Sequence, residues 1–193
     1  RATPATRRRR AAAMNRESFE HVIKAAAALV DDELVVLGSQ AVLAHHRHPP
    51  AAILTSMELD LYPRNHPDRA DEIDAGLGDG SRFHATYGYY AHGVGPESVT
   101  APAGWEDRLV RLELPAIRRR DGGVIAWCLS MDDLVLAKLA AGRTHDVEFA
   151  YEAIKAGLAD SEQLELGVDL MPPGHKDDVG DRLAGILSRL GRA

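Results

Sequence analysis

The chain has 193 residues, 45% of them hydrophobic, which suffices for one domain with a proper core. Its formal net charge is −6, but residues 1–13 contain five arginines and no acid, so residues 14–193 carry a net charge of −11. So acidic a body is unlikely to attract phosphates over its whole surface. The single cysteine, Cys128, argues against a disulfide framework and a multi-cysteine zinc site. No apolar run has transmembrane length, which argues against a membrane partner. We therefore expect a cytoplasmic protein.

The first predicted elements are a helix, a strand and a second helix. Asn15 is a good N-cap, and apolar residues recur at helical spacing from there to Val30. A short β-branched run at residues 34–37 stops at Gly38, and helical character resumes over 41–44. This order predicts a strand, a tight turn and a helix.

The next predicted strand covers residues 57–62, where apolar and polar side chains alternate until Pro63. The period of two places Glu58 and Asp60 on the same face. A short helix is predicted over residues 69–77.

Three more strands are predicted, at residues 84–92, 108–114 and 123–129, the last buried on both faces. On the first of them, the aromatic side chains suit either a core strand or stacking on a nucleic-acid base. Ser130 then starts a capping box for a helix over residues 131–141.

Helices dominate the remainder of the chain. Gly142 interrupts the pattern, and apolar spacing predicts one helix from Val147 to Leu158 and a last helix from Val179 to Leu190. We therefore predict an α/β fold, a mixed β-sheet flanked by helices with a helical C-terminal part.

The strongest chemical pattern is the Gly38-Ser39 turn followed by the acidic strand. A glycine lets the backbone approach a phosphate, and the Ser39 hydroxyl and the first N–H groups of the next helix bind its oxygens. Two carboxylates on one strand, Glu58 and Asp60, suit Mg²⁺, which takes one or two carboxylates together with substrate phosphates. The alternative is that both acids lie on an exposed, solvated strand face.

Any nucleotide or nucleic-acid phosphate has to be held by a local basic patch on this acidic body. The candidates are the arginine triplet at 118–120, which also suits a solvated turn, and Lys138 with Arg143. Asp146 follows Lys138 by eight residues, with Gly142 between them, so the two side chains can meet only from a helix end and its neighbour. Read without any relative, Asp146 is a first-turn acid that stabilises the helix dipole.

Several segments resemble the minimal nucleotidyltransferase superfamily. The turn, the acidic strand and the helical Lys…Asp element are similar to those of the AbiEii and MenT-like toxin nucleotidyltransferases, in the segments LVVLGSQAVL, SMELDLYP and DLVLAKLAAGRTHDVEF. The stretch from SRFHATYGYYAHGVG through PAGWEDRLV to AWCL resembles an uncharacterised bacterial group with the same fold. The resemblance covers about residues 33–155 and implies a minimal nucleotidyltransferase fold for a domain over residues 14–160. We expect residues 1–13 to be a flexible tail and 161–193 to be a helical extension packed on that domain.

The resemblance also implies site roles. It implies phosphate binding by Ser39, metal binding (Mg²⁺ or Mn²⁺) by Glu58 and Asp60, triphosphate contact by Lys138, and a catalytic or positioning role for Asp146. Gly38 and Arg143, which the residues themselves suggest, complete the predicted nucleotide-binding set. The toxins usually have aspartate where this chain has Glu58, and their turn and acidic strand are closer together. A third strand acid found in many relatives has no clear counterpart here, with Glu113 the one candidate.

The implied activity is metal-dependent transfer of a nucleotide from a nucleoside triphosphate to an RNA, with transfer RNA as one candidate, or to a protein. Such an enzyme is expected to be the toxin-like member of a toxin–antitoxin or phage-defence pair, with a cognate protein partner. The alternative is a non-catalytic binding module of the same fold, an antitoxin or partner-binding subunit. The two differ in whether Glu58 and Asp60 face an open pocket beside Ser39 and Lys138 or are held by arginines on a closed surface.

Overall fold

The computed structural model describes residues 13–54, 56–115 and 123–192. Nearly all of the predicted flexible tail and the arginine triplet at 118–120 lie outside these residues. Within them the fold is α/β, with a five-stranded mixed sheet flanked by helices and a helical C-terminal part, which confirms the predicted class. The division at residue 160 stays a prediction.

The N-terminal part alternates helices with the first three strands. Its elements are α1 (Arg16–Val30), β1 (Leu34–Val36), α2 (Val42–His45), β2 (Glu58–Pro63), α3 (Ala70–Leu77), α4 (Arg82–Tyr87) and β3 (Tyr90–Gly93). The C-terminal part adds two strands and then four helices. These elements are β4 (Val110–Leu114), β5 (Val124–Cys128), α5 (Met131–Ala141), α6 (Thr144–Lys155), α7 (Ser161–Asp169) and α8 (Pro173–Arg189).

The sheet has the strand order β3-β2-β1-β5-β4. Strand β1 pairs antiparallel with β2 and parallel with β5, β2 pairs parallel with β3, and β4 pairs antiparallel with β5. All three residues of β1 are buried, as expected for a central strand covered on both faces. The parallel pairing of β2 with β3 sets Glu58 opposite Tyr90 and Asp60 opposite His92, which positions the site described below.

The predicted helix ends are confirmed where a capping side chain marks them. The Asn15 side chain accepts a hydrogen bond from the Ser18 N–H at the start of α1, and Ser130 accepts from the Asp133 N–H at the start of α5. Helix α5 has the predicted bounds and ends at Gly142, whose φ of 66° is the left-handed conformation that glycine adopts most readily.

The predicted strand over residues 84–92 is wrong for most of its length. The Ser81 side chain accepts a hydrogen bond from the His84 N–H and starts α4, and Gly88, with φ of 79°, ends it, so only the last residues form β3. Local capping therefore prevails over the strand propensity of the tyrosines. Helix α7, begun by an Asp160 cap, was not predicted.

The C-terminal helices α6, α7 and α8 all pack against α5, which is buried along most of its length. Helix α1 buries the apolar stripe that its spacing predicts, from Phe19 to Val30. Over the residues described, no helix is both long enough and apolar enough to cross a membrane.

Candidate active site

A cleft of about 550 Å³ opens beside strands β2 and β3 and the C-terminal half of α5. The side chains and backbone that carry its chemistry are Gly38, Glu58, Asp60, His92, Lys138 and Arg143. Acidic and basic groups thus line a single cleft.

The two strand carboxylates lie in this cleft, side by side on β2. The side chains of Glu58 and Asp60 are 34% and 33% exposed. Their shared face is the one that the alternation predicts, and among the described residues no arginine pairs with either of them. Both acids therefore remain accessible from the cleft.

His92 joins these two acids from the neighbouring strand. Its Nδ1 lies 2.9 Å from Glu58 Oε1 and 3.1 Å from Asp60 Oδ1. The three side chains offer ligand atoms that lie within 4.8 Å of one another, the one such cluster among the described residues. Sequence reasoning missed His92, because only the register of β2 with β3 brings it to Asp60.

Burial and the nearby charge of Glu58 together raise the pKa of Asp60, and the hydrogen bond from His92 partly offsets them. Burial alone would lower the pKa of His92, but the hydrogen bond to Asp60 and the charges of both acids outweigh it, so that this pKa is raised. The site thus holds concentrated negative charge that a cation would relieve.

Tyr90 positions Glu58 from the opposite residue of β3. Its hydroxyl donates a hydrogen bond to Glu58 Oε2 at 2.9 Å. Burial and this bond raise the pKa of Tyr90 to about 12, so the phenol stays protonated and remains a donor. With Oε2 bound to Tyr90 and Oε1 beside His92, the orientation of the Glu58 carboxylate is determined from two sides.

The Gly38 turn packs directly on Asp60. A Cβ at position 38 would lie 2.0 Å from Asp60 Oδ2 and 2.8 Å from its Cγ, so no side chain fits there. The Leu37 N–H donates to the Asp60 carbonyl at 3.1 Å and ties the turn to β2. Ser39 starts the short 3₁₀ turn that leads into α2, but it does not line the cleft, and its phosphate contact stays a prediction.

A buried acid, Asp146, holds the two basic side chains that line the cleft. Asp146 is 1% exposed, and its carboxylate accepts from Lys138 Nζ at 2.9 Å and from Arg143 Nε at 2.5 Å. The break at Gly142 is what lets α5 and α6 bring these three residues together. Burial alone would raise the pKa of Asp146, but the hydrogen bonds from Arg143 and Lys138 outweigh it and lower the pKa. Asp146 therefore holds the two cations in place and does not itself line the cleft.

Glu113 does not take part in the site. It lies on β4, the strand at the opposite edge of the sheet from β3, where it is exposed and pairs with Arg111. The residue that lies beside Asp60 on the neighbouring strand is His92.

The donor set fits a divalent cation. Glu58 and Asp60 supply carboxylate oxygens and His92 an imidazole nitrogen, all of which ligate divalent metals in proteins. Both carboxylates are about one-third exposed, so an ion held by them would be accessible from the cleft.

Tyr90→Phe should weaken the binding of Mn²⁺ about tenfold, because a ligand that loses its supporting hydrogen bond is less well oriented. Calorimetric titration with MnCl₂ measures this effect. Tyr87→Phe is the control, since the exposed Tyr87 ring contacts other aromatic side chains and, within the described part of the chain, its hydroxyl makes no hydrogen bond to a carboxylate. Equal affinities for the two variants would contradict a supporting role for Tyr90.

Comparison with known proteins places the chain in a family. Neither the curated proteins nor the solved structures provide a significant match. The family model described as "Nucleotidyltransferase of unknown function (DUF6036)" matches residues 17–168, which include both strand acids, His92, both cleft cations and Asp146. The match confirms the predicted superfamily, whereas the closer resemblance to the toxin enzymes stays a prediction. Because it spans most of the chain, the protein belongs to this nucleotidyltransferase family.

Proposed function

We propose that the protein transfers a nucleotide from a nucleoside triphosphate to an RNA acceptor in a metal-dependent reaction. The observation that supports this best is the placement of two open carboxylates, Glu58 and Asp60, and two cations, Lys138 and Arg143, around one cleft. Nucleotidyl transfer needs these two kinds of group, since the metal and the cations together neutralise the charge on the phosphates.

Each residue has a distinct role in this proposal. Glu58 and Asp60 hold Mg²⁺ or Mn²⁺, which when bound would polarise the α-phosphate and neutralise the departing pyrophosphate. Lys138 and Arg143 bind the triphosphate from the other side, oriented by Asp146. Gly38 lines the same cleft and has no side chain, so a phosphate can approach the backbone of this turn.

The RNA acceptor and a toxin-like role come from the likeness of the turn, acidic strand and Lys…Asp segments to the AbiEii and MenT-like toxins. In that proposal transfer to an RNA such as transfer RNA blocks its use, and a cognate antitoxin protein restrains the enzyme. A protein acceptor is the other outcome that this chemistry allows. The accessibility of Glu58 and Asp60 favours an enzyme over a non-catalytic antitoxin or partner-binding subunit, because a binding module has no need of open metal ligands.

A labelled-transfer assay tests the proposal. The purified protein is incubated with each α-labelled nucleoside triphosphate, Mg²⁺ or Mn²⁺, and total bacterial RNA, beside the variant Glu58→Ala/Asp60→Ala. The variant Glu165→Ala/Asp169→Ala removes the same two residue types from the exposed face of α7 and controls for the change in net charge.

We expect label in RNA with the wild type and the α7 variant and none with the β2 variant. Label in the protein fraction would support the nucleotidyltransferase activity and show that the acceptor is a protein. No label with any triphosphate, or equal labelling by the β2 variant, would overturn the proposal and leave a binding module.

Gly38→Ala should lower transfer about 10²-fold while the fold is retained. The added methyl group would overlap Asp60 Oδ2, so the carboxylate must turn away from the cleft, and misplacement of about 1 Å in a catalytic group has an effect of this size. Gly185→Ala, where a new Cβ meets no atom within 4 Å, is the control. Transfer rates and circular-dichroism melting curves for both variants check the prediction, and unchanged transfer by Gly38→Ala would show that Asp60 does not need its present position.

A further inference from the structure

We propose that His92 is the third ligand of the metal site and that its nitrogen makes the site prefer Mn²⁺ and other first-row transition-metal ions over Mg²⁺. This inference deepens the proposed function, since it concerns the same cleft, but metal binding can be measured without transfer. It changes the expected ion from the Mg²⁺ that the two carboxylates suggest by themselves.

The spacing of the donor atoms supports a shared ion. Adjacent ligands of an octahedral ion with bonds of about 2.1 Å lie about 3.0 Å apart. His92 Nδ1 lies 2.9 Å from Glu58 Oε1 and 3.1 Å from Asp60 Oδ1, so the imidazole already occupies a neighbouring ligand position to both oxygens. When an ion binds, the Nδ1 proton that now bridges the acids leaves to solvent and the nitrogen lone pair faces the ion.

Strand pairing determines the position of His92 relative to the two acids. His92 and Asp60 are opposite residues of the parallel β2–β3 pair, so their side chains leave the sheet on the same face. Tyr90, two residues earlier on β3, holds Glu58 on that same face. Ligands from two paired strands are more rigid than ligands from loops, and a rigid set selects among ions by donor type.

The donor chemistry then gives the direction of the preference. Mg²⁺ takes oxygen ligands and usually keeps several waters, whereas imidazole suits first-row transition-metal ions such as Fe²⁺ and Zn²⁺; Mn²⁺ belongs to that series although it also accepts carboxylates. Two carboxylates and a neutral imidazole carry a charge of −2, less than three carboxylates would. The lower charge acts on all divalent ions alike, so it is the imidazole nitrogen that weakens Mg²⁺ relative to the transition-metal ions.

The competing interpretation is that His92 is a charged bridge which holds the two acids together in place of a metal. Under it, His92 excludes cations from the cleft, and removing the imidazole opens the site. The two interpretations give opposite results for a substitution at position 92.

The test uses full-length protein freed of metal with a chelator and titrated separately with MnCl₂ and MgCl₂ by calorimetry. Pulsed electron paramagnetic resonance of the Mn²⁺ complex then detects any directly bonded nitrogen through its ¹⁴N coupling. The variants are His92→Asp, which exchanges nitrogen for oxygen, and His175→Asn, which removes another imidazole that lines the cleft.

We expect Mn²⁺ to bind the wild type at least about tenfold more tightly than Mg²⁺ and to show the ¹⁴N coupling. His92→Asp should lose the coupling and bind both ions about equally, and His175→Asn should match the wild type. Mn²⁺ bound without ¹⁴N coupling, equal affinity of the wild type for the two ions, an unchanged preference for Mn²⁺ in His92→Asp, or no binding of either ion would overturn the inference. The wild-type spectrum alone decides the matter if His92→Asp does not fold.

The outcome is separate from that of the transfer assay. Label transfer supported by Mg²⁺ with no ¹⁴N coupling would refute the ligand role and keep the enzyme. A nitrogen-ligated Mn²⁺ with no label transfer would keep the ligand role and refute the enzyme.

Discussion

Replacing Asp60 with asparagine should lower nucleotide transfer about 10³-fold while leaving the free energy of unfolding unchanged or raising it by up to about 1 kcal/mol. Asparagine has nearly the shape of aspartate, so the contact with Gly38 and the hydrogen bond from His92 survive. The metal loses a charged ligand, which accounts for the fall in rate. The fold loses a half-buried carboxylate that lies against Glu58, which relieves repulsion between like charges.

A substitution that lowers activity but not stability indicates that the residue serves catalysis and not the fold. Labelled transfer and urea denaturation of the same preparations measure the two quantities. Asp178→Asn, on the exposed surface of α8, should change neither by a detectable amount. A marked loss of stability in Asp60→Asn would mean that the acid is structural and would remove the main support for a metal site.

Asp146→Ala should lower the free energy of unfolding by about 3 kcal/mol, the largest stability effect expected from any one charged side chain in or directly behind the cleft. Its buried carboxylate holds Lys138 and Arg143, and its loss leaves Lys138, 15% exposed, without a partner. Both cations keep some access to water, which puts the effect at the lower end for a broken buried ion pair. Urea denaturation at pH 7 measures it.

The stability lost in Asp146→Ala should depend on pH in a definite direction. The folded state lowers the pKa of Asp146 below its ordinary value of 3.8, so the stabilisation is fully present above that pH and is lost as the pH falls through the folded-state pKa. The difference between wild type and Asp146→Ala should therefore shrink as the pH is lowered below 3.8. Asp178→Ala, which breaks an exposed i,i+4 pair with Arg182, should change stability by less than about 0.5 kcal/mol. Equal effects of the two substitutions would refute a buried role for Asp146.

Local patterns were enough to predict one wall of the site. The alternation over β2 placed Glu58 and Asp60 on one face because side-chain direction in a strand depends only on the period of two. The Ser130 cap and Gly142 gave the bounds of α5 because capping is also decided within a few residues. The break at Gly142 followed from the same local signals, whereas the site roles of Lys138 and Asp146 came from the resemblance to known nucleotidyltransferases.

His92 and Tyr90 were out of reach because their roles depend on pairing between distant segments. About thirty residues separate His92 and Tyr90 from Asp60 and Glu58. The sequence around His92 and Tyr90 does not indicate which strand they pair with or in what register. The aromatic residues before them also favoured a strand where Ser81 and a glycine make a helix, which displaced the predicted start of β3. Glu113 was the one candidate for a third strand acid because nothing local indicated that β4 lies at the opposite edge of the sheet.

The most direct test of a metal and nucleotide site in this cleft is anomalous diffraction from crystals soaked with Mn²⁺ and a nucleoside triphosphate whose α,β-bridge cannot be cleaved. The account predicts a manganese peak between the carboxylates of Glu58 and Asp60, with the triphosphate extending toward Lys138 and Arg143. Manganese and nucleotide bound elsewhere, or a cleft that stays without either at saturating concentrations, would contradict it.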